Sequence, residues 1–293
     1  MFRELLAAAL CVGCGNVVNR ASDAGSTADG RTSDGPIADG PSSDGRPPDG
    51  PTADAQVPMA DVLGGTLRTG CVVALHMDEA SWSGAAGEVT DDCGNDNSGT
   101  AVGTGTSTVA TGVHGRAGSF SGAGCVEIPN AAALHGTTGL TLSTWMFPTQ
   151  LDGGVNNANG LISKRNDTAD QPEYSLSVWT GFRVYVDLDT ANDRFASPTV
   201  ISTNVWTQVT LVYDGTRAVD ERTRVYLNGS LDATHAETSA SLTPYTSALH
   251  VGCTPAPASG TQQGFVGKLD EVVIWNRALS ETEVTQWYVN TKP

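Results

Sequence analysis

Between Val72 and Trp275 the chain is a succession of short runs rich in Val, Leu, Ile, Thr and aromatic residues, broken by Gly, Asn and Asp. Eleven such runs stand out: Val72–Glu79, Arg116–Ser121, Val126–Pro129, Leu140–Pro148, Leu161–Lys164, Tyr174–Trp179, Arg183–Leu188, Trp206–Tyr213, Arg224–Asn228, Ala248–Gly252 and Val266–Trp275. Several alternate apolar with polar, the period of a half-buried antiparallel strand. Eleven or more strands at hairpin-length spacing predict an all-β fold, a two-sheet antiparallel β-sandwich. One helix signature interrupts this pattern. Ser280-Glu281-Thr282-Glu283 is a capping box, after which Val284, Trp287 and Tyr288 fall on one face. The spacing predicts a short C-terminal helix docked on the sandwich.

Charge narrows the function. Sixteen Lys and Arg against 32 Asp and Glu give a net charge of −16, so nothing neutralises a run of phosphates and nucleic acid is excluded as a partner. No apolar run reaches the roughly 18–20 residues that span a bilayer. The ends of the chain differ from its body. Residues 1–14, MFRELLAAALCVGC, carry an early Arg3 and an apolar run from Leu5 to Gly13, the layout of an export signal. The small residue before Cys14 resembles the lipobox of bacterial lipoproteins, which implies cleavage before Cys14, lipidation of its thiol and a membrane anchor. Residues 15–61 form a linker in which Asp29, Asp34, Asp39, Asp44, Asp49 and Asp54 recur every five residues with almost no apolar side chain. Such a segment cannot recover its ordering entropy and reads as a disordered tether spanning roughly 35–40 Å. Residues 62–293 carry the fold.

The familiar catalytic motifs are missing: no Gly-x-Ser-x-Gly, no His-Glu-x-x-His, no Gly-Lys-Ser/Thr loop. The histidines at 76, 114, 135, 235 and 250 are scattered and read as structural or surface residues. Strand parity offers a binding face instead. If Tyr174, Leu176 and Val178, and likewise Val184, Val186 and Leu188, point into the core, then Trp179, Arg183, Tyr185 and Asp187 point outward. As hairpin neighbours they form one aromatic–polar patch of the kind on which sugar rings stack and hydroxyls bind. Four cysteines follow the signal, Cys71, Cys93, Cys125 and Cys253. An even number in an exported domain predicts two disulfides, with three pairings open. Their spacing disfavours zinc.

Five stretches, VALHMDE from Val73, Asp92-Cys93-Gly94-Asn95, GRAGSFSGAGCVEIP from Gly115, the Trp206–Gly229 segment and GKLDEVVIWNRALS from Gly267, resemble the LamG-like jellyroll domain of the concanavalin A-like lectin/glucanase superfamily. The resemblance implies a jelly roll of twelve to fourteen strands. It places the strand opening at Cys125 beside the one ending at Cys253, and so implies the pairs Cys125–Cys253 and Cys71–Cys93. It also implies a structural calcium at Asp270 with Asp91 and Asn95, or alternatively a rim site using Asn166 and Asp167. Hydrolases of this superfamily carry Glu-x-Asp-x-x-Glu on one strand. That stretch does not occur here; Asp187 and Asp189 are the nearest strand carboxylates and lack a third partner. The expectation is an exported, surface-tethered, non-catalytic module that binds a glycan. The competing readings are an adhesion domain with protein partners and a divergent glycan hydrolase.

Overall fold

A computed structural model describes residues 62–293 apart from 152–157, 167–170, 180, 190–193 and 256–262. The signal-like segment with Cys14, the repeat tether and Asp167 lie outside the described residues.

Two antiparallel sheets face each other. One has eight strands: β13 (Ser230–His235), β12 (Thr223–Leu227), β11 (Thr207–Asp214), β6 (Gly139–Gln150), β17 (Val266–Trp275), β4 (Ala117–Ser121) and β3 (Thr106–Val109) in spatial order, with β1 (Cys71–Leu75) also paired to β17. The long β17 is shared lengthwise, since β4 pairs with Val266–Leu269 and β1 with Val272–Trp275. A bulge near Asp270 and Glu271 separates the two halves. The other sheet has seven strands, ordered β10 (Phe195–Val200), β9 (Arg183–Leu188), β8 (Gln171–Trp179), β7 (Asn159–Asn166), β14 (Leu249–Val251), β5 (Gly124–Ile128) and β2 (Thr100–Gly103). A small pair, β15 (Cys253–Thr254) with β16 (Gln263–Gly264), stands beside β7.

The core fills the space between the sheets. Leu142 and Met146 of β6, Val209 and Leu211 of β11, and Leu269 and Ile274 of β17 meet Ile162 of β7, Leu176 and Val178 of β8, and Val184 and Val186 of β9. Each set comes from alternate positions of its strand, as a period of two requires, except on β17, where the bulge at Asp270 shifts the parity between Leu269 and Ile274. A second cluster lies on the outer side of the eight-stranded sheet, under helix α1 (Glu281–Thr291). The Ser280 hydroxyl accepts from the Glu283 backbone and the Glu283 carboxylate accepts from the Ser280 backbone, so the helix starts where the capping box places it. Val284 and Trp287 are buried. Trp287 meets Trp275 edge-on, and Tyr288 stacks on Trp145.

Both disulfides join the pairs that the resemblance implies, Cys71–Cys93 and Cys125–Cys253. The described residues hold 17 strands, more than the eleven runs of the sequence. The additional ones include β2, β3, β10 and β13, whose sequences are dominated by small or polar residues and sit at or next to sheet edges. Such strands carry little apolar alternation to read.

Candidate functional site

The outer face of the seven-stranded sheet is polar and has no helix over it among the described residues. Its strands are in a register that lines up one row across six of them: Asp187, Ser175, Ser163, His250, Glu127 and Thr100. The next row holds Gly160, Ser177, Tyr185 and Ala196, and the one beyond it Trp179, Arg183 and Val200. Parity therefore puts Trp179, Arg183, Tyr185 and Asp187 on this face, with Val184, Val186 and Leu188 behind them in the core.

The rings of Trp179 and Tyr185 meet edge to face at 4.5 Å, and both residues are half-buried. Burial, together with the charge of Asp187, raises the Tyr185 pKa above its ordinary value, so near neutral pH its hydroxyl is protonated and able to donate. Arg183 is half-buried and its guanidinium donates to the Ser197 carbonyl. Asp187 departs from the sequence reading. It lies on the expected side of the sheet but is 2% exposed, held between Arg165 at 3.4 Å and Arg194 at 3.2 Å. Parity tells the side and not the depth; two guanidiniums close over this carboxylate, so it anchors arginines rather than presenting itself to solvent.

The floor of the face is made of hydroxyls. Ser163, Ser175 and Ser177 are all buried. Ser163 Oγ and Thr254 Oγ1 have no hydrogen-bond partner among the described residues. Buried hydroxyls are nearly always paired; these two stand open on this face, as those of Thr106, Ser197 and Thr223 do elsewhere. Thr254 approaches because residue 160 is glycine: a Cβ there would lie 2.3 Å from Cys253 C and Thr254 N. The Cys125–Cys253 disulfide fastens β15 in that position and gives the face a wall. His250 and Glu127 continue the row at 3.5 Å from each other. Strand parity already puts Ser175 and Ser177 on this face beside Trp179, but sequence reasoning did not reach Ser163, Arg165, Arg194 or His250. Ser163, Arg165 and His250 join the face through the strand order β8-β7-β14, which no local pattern encodes.

The two carboxylates of the row, Asp187 and Glu127, are four strand spacings apart, about 19 Å along the sheet. Glycoside hydrolysis requires carboxyls about 5–9.5 Å apart, so this pair does not form a hydrolytic site.

The residues offered for calcium are placed otherwise than a cation site requires. Asp270 is fully buried and accepts from the backbone of Val113 and His114 on one oxygen and of Glu271 on the other. Burial and the neighbouring Glu271 charge push its pKa upward against those bonds. Asp91 takes the backbone N–H groups of Ala74 and Cys93 on one oxygen and of Asn95 and Asn97 on the other. Asn95 donates its amide to the Cys71 carbonyl. Calcium needs six to eight converging oxygens, whereas these oxygens are faced by N–H donors, and the set does not fit the ion. Among the described residues no group of three or more His, Cys, Asp or Glu side chains is arranged to hold a metal ion.

A family profile described as the concanavalin A-like lectin/glucanases superfamily matches residues 120–285, more than half of the chain. No curated protein sequence matches it. Among solved structures, domain 4 of AbnA, a GH43 extracellular arabinanase from Geobacillus stearothermophilus in complex with arabinotriose, is 17% identical with a TM-score of 0.53, over 74% of this chain and 98% of that one. A botulinum neurotoxin type C structure, described by cell entry dependent on two ganglioside molecules, is 12% identical with a TM-score of 0.57, over 78% and 53%. The binding domain of botulinum neurotoxin DC in complex with rat synaptotagmin II is 12% identical with a TM-score of 0.50, over 77% and 52%. The chain thus spans about half the length of those two neurotoxin chains. At these identities the likeness is one of fold, and with the profile match it leads to one statement: the chain belongs to the concanavalin A-like lectin/glucanase superfamily.

Proposed function

We propose that the outer face of the seven-stranded sheet binds a glycan, and that the chain is an exported, surface-tethered, non-catalytic binding module. The observation that carries this reading is the half-exposed Trp179–Tyr185 pair standing beside a serine floor in which Ser163 Oγ has no partner among the described residues. An aromatic ring takes the C–H face of a sugar while hydroxyls, an arginine and the Tyr185 phenol take its hydroxyl groups. Domains of the same fold are described with arabinotriose and with gangliosides, which supports a carbohydrate ligand. One described with synaptotagmin keeps a protein partner as the competing reading. The two disulfides suit an oxidising, extracytoplasmic setting, in line with an anchor at Cys14. Calcium has no part in this reading.

The test is a glycan array probed with the full chain, including arabinotriose, ganglioside oligosaccharides and their monosaccharide units. Wild type should bind, and Trp179→Ala should weaken binding at least about tenfold at a melting midpoint within a few degrees of wild type. An array on which the wild type binds nothing sinks the proposal. Anchoring is tested separately: wild type should partition with membranes, and Cys14→Ser should be released or left unprocessed.

A further inference from the structure

Among the described residues, seven other than glycine have positive φ. Four are Asp or Asn, which tolerate the left-handed region. The remaining three are Met77, Glu271 and Phe182, at φ 62, 48 and 58. Met77 and Glu271 are 0% and 3% exposed, so the packed interior around them holds the strain. Phe182 is 39% exposed, and neither buried cluster of the described residues includes it. A bulky side chain in this conformation is an outlier that persists at a cost, and such outliers gather at ligand sites.

Its position gives the cost a purpose. Phe182 follows Gly181, also left-handed at φ 72, in the turn between β8 and β9. Its carbonyl accepts from Ile201 N at 2.7 Å, which fixes the turn against the end of β10. Trp179 and Arg183 are the last register pair before this turn, and Tyr185 lies two pairs further in, opposite Ser177. Three aromatic residues therefore follow one another along the hairpin, over about 10 Å from Tyr185 to Phe182. We infer that Phe182 is a second stacking platform, and that the site accepts a linear oligosaccharide of at least two rings, one on the Trp179–Tyr185 pair and the next on Phe182. This inference rests on the glycan reading above and names the ligand class of the same face.

The experiment compares Phe182→Asn and Phe182→Trp with wild type, all as full chains, by titration with the best-bound trisaccharide of the array and with its monosaccharide unit, beside melting curves. Asparagine suits φ 58, so Phe182→Asn should melt about 2 °C higher or more, bind the trisaccharide about tenfold more weakly and bind the monosaccharide as before. Phe182→Trp keeps a ring and should keep trisaccharide affinity. Unchanged trisaccharide affinity in Phe182→Asn overturns the inference. An equal loss for one ring and three does so too, as does a lower melting point, which would mean that the phenyl ring is held by packing. A wild type that binds no glycan instead removes the proposed function itself, and this inference with it.

Discussion

The two outer faces of the sandwich are built from similar residues and finished differently. On the eight-stranded sheet, α1 closes over tryptophans and hydroxyls and pairs them: Trp145 Nε1 and Gln208 Nε2 donate to Thr291 Oγ1, Trp287 Nε1 donates to Ser143 Oγ, and Ser143 shares a hydrogen bond with Thr210. On the seven-stranded sheet the tryptophan is half-exposed and Ser163 Oγ has no partner among the described residues. Indoles and hydroxyls paired under a helix add to stability, although Gln208 Oε1 and Arg224 Nε on that sheet lack partners among the described residues; an aromatic pair that no helix covers, beside an open hydroxyl, suits recognition.

Substitutions should separate the two faces. The largest effect is expected from the bridge that walls the recognition face. Cys125–Cys253 closes a span of 128 residues, against 22 for Cys71–Cys93, so chain entropy assigns about 5 and about 3 kcal/mol to them. Replacing both Cys125 and Cys253 by Ser should lower stability more than the equivalent change at Cys71 and Cys93, and should also weaken ligand binding because β15 is freed. Denaturant titration of the two double variants orders them, and the reverse order would break the assignment. Next, Trp287→Ala empties a fully buried site under the helix and should cost about 3–5 kcal/mol. Trp179→Ala should cost less, about 1 kcal/mol, because a half-buried ring outside the core leaves no closed cavity behind. Equal losses at the two tryptophans would erase the distinction between the faces.

A smaller effect sharpens the helix side. The Arg277 guanidinium bonds both oxygens of Glu283, which with the Ser280 backbone and hydroxyl holds its pKa down to about 2. A lowered carboxylate pKa contributes stability that is present above the ordinary value of 4.5 and is lost as pH falls towards about 2. With solvent screening the contribution is about 1 kcal/mol. Wild type should lose that margin between pH 4.5 and 2, and Glu283→Gln should lack it already at pH 7, as melting at several pH values would show. Smallest of all is the expected response to calcium. Because the Asp270 and Asp91 oxygens accept from backbone N–H groups, melting with calcium and with chelator should coincide, and a calcium-dependent rise lost in Asp270→Ala would reinstate the ion.

What the sequence revealed follows what is local. A period of two is written in each strand, so the sandwich and the inward sets of β8 and β9 were legible, as was the helix start at Ser280. The aromatic pair was legible for the same reason, because Trp179 and Tyr185 belong to one hairpin. The serine row was not, because Ser163 and His250 become neighbours only when β14 pairs with β7, some 85 residues away. Arg165 has the parity of Ser163 and reaches Asp187, while Lys164 between them is buried opposite Tyr174; that its partner lies two strands away is what no local pattern shows. The left-handed turn at Phe182 has no sequence signature beyond Gly181.

The central claim is that ligand binds the serine-floored face and not the helix-bearing one. The opposite face has its own uncovered patch, with Phe147 and Trp206 5.4 Å apart and Lys268 over both rings, so the alternative is concrete. Chemical-shift mapping of the full chain against the best-bound trisaccharide decides between them. The account predicts saturable shifts at Trp179, Tyr185, Ser163 and Ser177, with Trp206 and Lys268 unmoved. Shifts centred on Phe147, Trp206 and Lys268, with Trp179 and Ser163 silent, would contradict it.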